Sequence, residues 1–154
     1  MWRFIVLGCL LLSLGSFAEE TKSAPIKVPE NFGSITVHIY GLRNADGHVR
    51  VALFSGKSGF PNNAKKALIV GVISVKDGTA GVRFDNIPPG EYAVSTYHDE
   101  NDNKELDEDQ SFKPTEGFGT SKDAQGTLGP PKYQDASFPF TGGKLTIKIH
   151  MRYL

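Results

Sequence analysis

Short stretches of period-two alternation, each closed by a turn signal, constrain this chain more than any other feature of it. Ile35, Val37 and Ile39 alternate with Thr36, His38 and Tyr40, so a strand over 34–40 buries one face and wets the other. Val49, Val51 and Leu53 alternate again after Asp46-Gly47, which predicts a hairpin with the first strand. The run 67–75 is apolar and β-branched enough for a central strand. Lys76-Asp77-Gly78 then turns the chain into 79–84, where Ala80, Val82 and Phe84 share a face. Asp85–Gly90 (DNIPPG) is another turn, leading to a strand over 91–98. A last strand over 144–151 carries Leu145, Ile147 and Ile149 on one face, and a short strand around 136–140 precedes it. The stretch 55–66 is rich in Gly, Pro and Asn and reads as loop, with a helical turn at 62–66. About seven strands and no long helical period predict an all-β, antiparallel β-sandwich. The segment 108–135 fits no strand, and a connection of that length is functional or packed on the surface. Its Phe112, Phe118, Leu128 and Tyr133 predict that it folds against the sandwich.

Ahead of this pattern the chain opens Met1-Trp2-Arg3 and runs apolar from Phe4 to Phe17, ending in the small-residue site Ser16-Phe17-Ala18. One early positive charge, a short apolar run and such a site make a secretory leader over 1–18, cleaved after Ala18. The run is shorter than the roughly 20 residues a spanning helix needs, so no stable membrane span is expected. Val6-Leu7-Gly8-Cys9 loosely resembles a lipoprotein acceptor site, but modification at Cys9 would leave only eight residues of signal. The expected location is therefore periplasmic or secreted. Residues 19–33 (EETKSAPIKVPENFG) are polar and Pro-bearing and read as a linker, leaving 34–154 as one domain. Once the leader is gone no Cys remains, which excludes disulfides, Cys-based zinc sites and thiol chemistry. With 17 basic and 17 acidic side chains in the whole chain, the charge argument for nucleic acid is missing.

The sharpest local signal is Asp99–Asp109 (DENDNKELDED), where seven of eleven residues are acidic against one Lys. Asp99, Asn101, Asn103 and Asp107 fall at positions 1, 3, 5 and 9 of a tight loop, and Glu105 at position 7 offers a backbone carbonyl. Alternate oxygens on such a loop can converge on one hard cation. Calcium, which takes six to eight oxygens in irregular geometry, suits it better than Mg²⁺. Two positions depart from a full EF-hand loop: Lys104 stands where Gly makes the sharp turn, and Gln110 where a bidentate Glu closes the shell. Glu108 or Asp109 is close enough in sequence to supply the missing carboxylate. The competing reading is a solvated loop whose like charges repel. If Ca²⁺ binds, its role is structural, because every ligand lies on one connection.

His98 abuts Asp99 and could act as a base or support a ligand, or simply end a strand with its hydrogen bonds satisfied. His38 and His150 fall on the polar faces of the first and last strands, and His48 in a turn. No nucleophile elbow, zinc helix, phosphate loop or dinucleotide fingerprint is present, so catalysis is the minority reading. Two alternatives to a binding module stay open: a small hydrolase or lyase built on His98 and a nearby carboxylate, and a carrier of a small apolar ligand between the sheets.

Phe84–Gly90 (FDNIPPG) running into Glu91-Tyr92-Ala93-Val94, then His98-Asp99-Glu100-Asn101, form a recognisable series. Glu116-Gly117-Phe118-Gly119, Gly129-Pro130-Pro131 and Asp135-Ala136-Ser137-Phe138 extend it. In these segments the chain resembles the DUF2141 family of small exported bacterial proteins, from about Ser34 to Met151. The resemblance implies an Ig-like or prealbumin-like sandwich, related to carboxypeptidase-regulatory-like domains, and an envelope location; it implies no activity. It also implies a loop of the form Asp-x-Asn-x-Asn-Gly-x-x-Asp after the His, which Asp99, Asn101, Asn103 and Asp107 match while Lys104 does not. The hydroxyisourate hydrolases of the transthyretin-like fold end in Tyr-Arg-Gly-Ser. This chain ends His150-Met151-Arg152-Tyr153-Leu154, which does not support that chemistry. The expected partner is an envelope protein or a small ligand.

Overall fold

A computed structural model describes residues 31–154. The leader expected over 1–18 and most of the linker expected over 19–33 lie outside the described residues. Eight strands form two sheets: β1 (Gly33–Tyr40), β2 (His48–Phe54), β3 (Ile69–Ile73), β4 (Thr79–Ile87), β5 (Gly90–Asp99), β6 (Gly117–Thr120), β7 (Phe138–Phe140) and β8 (Gly143–His150). The smaller sheet has the order β4-β1-β8 and the larger β3-β2-β5-β6, with β7 paired to the start of β5. A single short helix, α1 (Tyr133–Ala136), precedes β7 among the described residues.

The alternation seen in the sequence places the core. Ile35, Val37 and Ile39 from β1 meet Val49, Val51 and Leu53 from β2, with Phe84, Val94 and Ile149 completing the layer, all buried. Both strands of the expected first hairpin thus exist, but they do not pair. β1 pairs with β4 and β8, while β2 lies in the other sheet between β3 and β5. Their two apolar faces cover opposite sides of one core, so Gly41–Gly47 crosses the sandwich instead of reversing within a sheet.

Three further expectations need correction. The 67–75 strand is an edge rather than central: β3 alternates half-buried Ile69 and Ile73 with exposed Val70 and Val72. A run apolar on both faces reads as central, yet here one apolar face meets solvent. The sandwich is also not wholly antiparallel, because β1 and β8 pair in parallel, from Gly33↔Gly143 to Tyr40↔His150. Finally, the segment 108–135, expected to fit no strand, contains one, β6. Its Gly117 and Gly119 give no alternation to read. A Cβ there would stand 2.5 Å from the Tyr153 ring and 2.7 Å from Ile149, a closeness of approach only glycine permits. Phe118 and Tyr133 of that segment pack partly, whereas Phe112 and Leu128 are 82% and 100% exposed.

The outer face of the larger sheet is closed at one end by the loop after β2. Phe60 stacks edge-on between Phe54 and Tyr133, and Ser95 Oγ donates to the Pro61 carbonyl. The expected helical turn is there, over Ala64–Lys66 and capped by the Asn63 side chain. Ser121, fully buried, joins the following segment to β5 and α1: its hydroxyl accepts from the Val94 N–H and donates to the Ala136 carbonyl.

Candidate functional site

The acidic loop leaves β5 at Asp99 and folds back over the other end of the larger sheet's outer face. That face is set by register, since Val49 opposite His98 points inward and Arg50 opposite Tyr97 points outward. Tyr97 reaches across to donate its hydroxyl to the Lys104 carbonyl at 2.8 Å. Asp99 is fully buried beneath the loop. Its Oδ2 takes a charge-assisted hydrogen bond from Arg50 Nε and accepts the Lys104 N–H at 3.0 Å. Its Oδ1 is buried with no donor. A buried carboxylate oxygen without a partner is uncommon and costly.

The loop turns itself with its own side chains. Asn101 Oδ1 accepts the Asn103 N–H at 3.0 Å, and Asn103 Oδ1 accepts the Glu105 N–H at 2.8 Å. Both amide groups then converge on Asp107, Asn101 Nδ2 at 2.6 Å and Asn103 Nδ2 at 2.8 Å. Four of the five expected ligand positions are therefore joined by hydrogen bonds, and Asp99 is tied in through Lys104. Glu105 enters by its backbone N–H, while its side chain is exposed. Among the described residues no three His, Cys, Asp or Glu side chains gather into a group that could hold a metal ion. The convergence comes from amides around a carboxylate.

Two residues with no local sequence signal hold this loop in place. Glu116, 4% exposed ahead of β6, accepts the Glu100 N–H at 2.8 Å and the Asp107 N–H at 3.1 Å, so one carboxylate clamps both limbs. Arg50 is the other; a charged residue at an outward position of an otherwise apolar strand was its only trace. Farther out, His48 Nδ1 lies 2.6 Å from Asp102 Oδ1.

Glu100 extends the network toward the C-terminus. Arg43 meets it with Nη2 at 2.7 Å from Oε1 and Nε at 3.2 Å from Oε2, and Asn44 donates at 2.7 Å. Burial works to raise the Glu100 pKa, but the hydrogen bonds from Arg43 and Asn44 and the Arg43 charge outweigh it, holding the carboxyl below its usual value. A depressed folded-state pKa stabilises the fold above the ordinary glutamate value, and that stability is lost as pH falls through the folded value. The stability of the native chain should accordingly fall more steeply with pH below the ordinary glutamate value, and Glu100→Gln should flatten that decline. Equal acid slopes for the two proteins would remove Glu100 from the account.

His98 is fully buried on the inner side of the same strand end. Its Nε2 lies 2.8 Å from the Asp46 carbonyl and its Nδ1 2.8 Å from the Tyr153 hydroxyl. A carbonyl only accepts, so Nε2 carries a hydrogen, and in the neutral ring Nδ1 accepts from Tyr153. Burial pushes the Tyr153 phenol up, keeping that hydroxyl a donor. Both ring nitrogens are thus engaged and the ring is sealed from solvent. A general base must reach its substrate's proton, and His98 does not open to any. Two surface hollows, of about 340 Å³ beside Ser34 and Arg83 and about 360 Å³ beside Leu128 and Lys132, lie outside the inter-sheet core.

The sequence profile of a bacterial family, described as "Uncharacterized protein conserved in bacteria (DUF2141)", matches residues 37–148. This chain belongs to that family. The matched span begins within β1 and ends within β8, so the DUF2141 unit is the whole sandwich together with the acidic loop. No curated protein and no solved structure matches it significantly.

Within this DUF2141 domain the Lys104 departure has a conformational consequence. Lys104 has φ +73°, the left-handed region that glycine enters freely and an L-residue enters at a cost of about 1–2 kcal/mol. The backbone makes the turn without its glycine, and both Lys104 main-chain hydrogen bonds survive. Lys104→Gly should therefore raise stability by about 0.5 kcal/mol, the relieved strain less the extra freedom of glycine in the unfolded chain. Chemical denaturation checks this: a stability loss would mean that the exposed Lys104 side chain contributes more than the strain removes.

Proposed function

We propose that this chain is an exported, non-catalytic β-sandwich binding module whose acidic loop takes Ca²⁺ through Asp99, Asn101, Asn103, Asp107 and the Glu105 carbonyl. The leader-like segment 1–18 supports export to the periplasm or beyond. The observation that carries the calcium reading is Asp99 Oδ1, a fully buried oxygen without a donor at the head of the loop. A cation there satisfies it while Arg50 keeps Oδ2. Each Asn amide oxygen has two lone pairs and holds only one backbone N–H, so the same oxygens retain capacity for an ion. Irregular loop geometry and mixed amide, carboxylate and carbonyl donors suit calcium over magnesium. The ion fixes the root of the 108–135 segment, whose exposed Phe112 and Leu128 face outward toward an envelope protein or small ligand.

Calorimetric titration of chelator-treated protein with calcium tests this reading. One site per chain is expected, resistant to equimolar magnesium and abolished by Asp107→Ala. No heat of binding at millimolar calcium, or an unchanged isotherm in Asp107→Ala, refutes it.

A further inference from the structure

The outer face of the smaller sheet is open, and its charge runs opposite to that of the acidic loop. Outward positions alternate with the core residues of β4, β1 and β8, and among the described residues no element packs across them. Lys144 and Lys148 of β8 and Arg83 of β4 stand exposed there. The carboxylates at its margins are Asp85, paired with Arg83, and Asp123, beside His150. The two lysines are thus left without an ion-pair partner among the described residues. They stand four positions apart along the strand, about 13 Å at 3.3 Å per residue, too far for one small anion to bridge. An extended anion spans both.

The centre of the face favours hydroxyl-rich chemistry. Thr36 stands opposite Thr146 on one side and Arg83 on the other, giving a row of hydroxyl and guanidinium groups across the sheet. Hydroxyls both donate and accept, as a sugar's do. His38, Tyr40 and His150 stand beside the row, His38 and Tyr40 with centroids 6.4 Å apart and near-parallel planes, Tyr40 and His150 5.9 Å apart and tilted. An acidic peptide adding as a strand would use a sheet edge, not the middle of a face. We propose that this face binds a linear acidic polysaccharide, carboxylates over Lys144 and Lys148 and hydroxyls over the threonine row. The proposal does not rest on calcium in the loop.

Affinity electrophoresis in chelator tests it, with polygalacturonate, neutral dextran, polyglutamate and single-stranded DNA as gel-borne or competing polymers. Polygalacturonate should retard the protein and dextran should not. The retardation should weaken with salt and fall at least about tenfold in Lys144→Glu/Lys148→Glu. Both sites are exposed, so the variant should keep its unfolding midpoint. Asp107→Ala should bind the polymer like the native chain, which separates this proposal from the calcium reading. Absent retardation, equal retardation of the double variant, or equal competition by DNA or polyglutamate overturns it. So does concentration-dependent self-association that the double variant abolishes, since the face would then receive the acidic loop of a second copy.

Discussion

Arg50→Met should lower the stability of the calcium-free protein by about 3 kcal/mol, the range for removing one partner of a buried ion pair. Asp99 is fully buried, Arg50 is its cationic partner, and its other oxygen already lacks a donor, so the change leaves a charge in a dry site. The Arg50 side chain is 20% exposed, so water can reach part of the gap, which keeps the figure at the low end. Arg50→Met/Asp99→Asn should recover part of the loss, because breaking a buried pair costs more than lacking it. Saturating calcium should shrink the effect of Arg50→Met, since the ion supplies positive charge beside the same carboxylate. Urea unfolding of the three proteins, with and without calcium, checks all of this. A loss below about 0.5 kcal/mol for Arg50→Met would assign the pair to the ordinary class of surface ion pairs.

Most strands were legible because burial on one face leaves a period-two record, which β1, β2, β4 and β8 carry, while β5 was read from the turn before it. Their pairing was not. Val49, Val51 and Leu53 fit a hairpin with β1 and a crossing to the other sheet equally well, because alternation states which side is buried and not who lies alongside. Exposed Val70 and Val72 gave β3 the composition of a central strand. β6 left no record at all, since Gly117 and Gly119 contribute close approach instead of side chains. The candidate site divides in the same way. Asp99, Asn101, Asn103 and Asp107 could be read because they lie on one loop with fixed spacing, and the structure joins them by hydrogen bonds. Arg50 and Glu116 come from β2 and from the approach to β6, 49 and 17 residues from Asp99, and no spacing connects them to the loop. His98 looked equally able to serve chemistry or structure, and only its contacts with Asp46 and Tyr153 show what it holds together.

Calcium should stabilise the folded chain strongly. A ligand that binds only the native state at about 100 times its dissociation constant adds about 2.7 kcal/mol, or roughly 10 °C in midpoint for a domain of this size. The unfolded chain presents the same carboxylates without their convergence, so its competing affinity is small. Magnesium at equal concentration should give a much smaller rise, because it demands an octahedron that Asn101, Asn103 and Asp107 on one short loop do not form readily. The direct test is thermal unfolding of native protein and Asp107→Ala, each in chelator and in millimolar calcium. A large calcium-dependent rise in the native protein, absent in Asp107→Ala, is the predicted result. Midpoints that do not move with calcium, or that move equally in both proteins, would contradict the account and leave the loop as a self-bonded acidic surface.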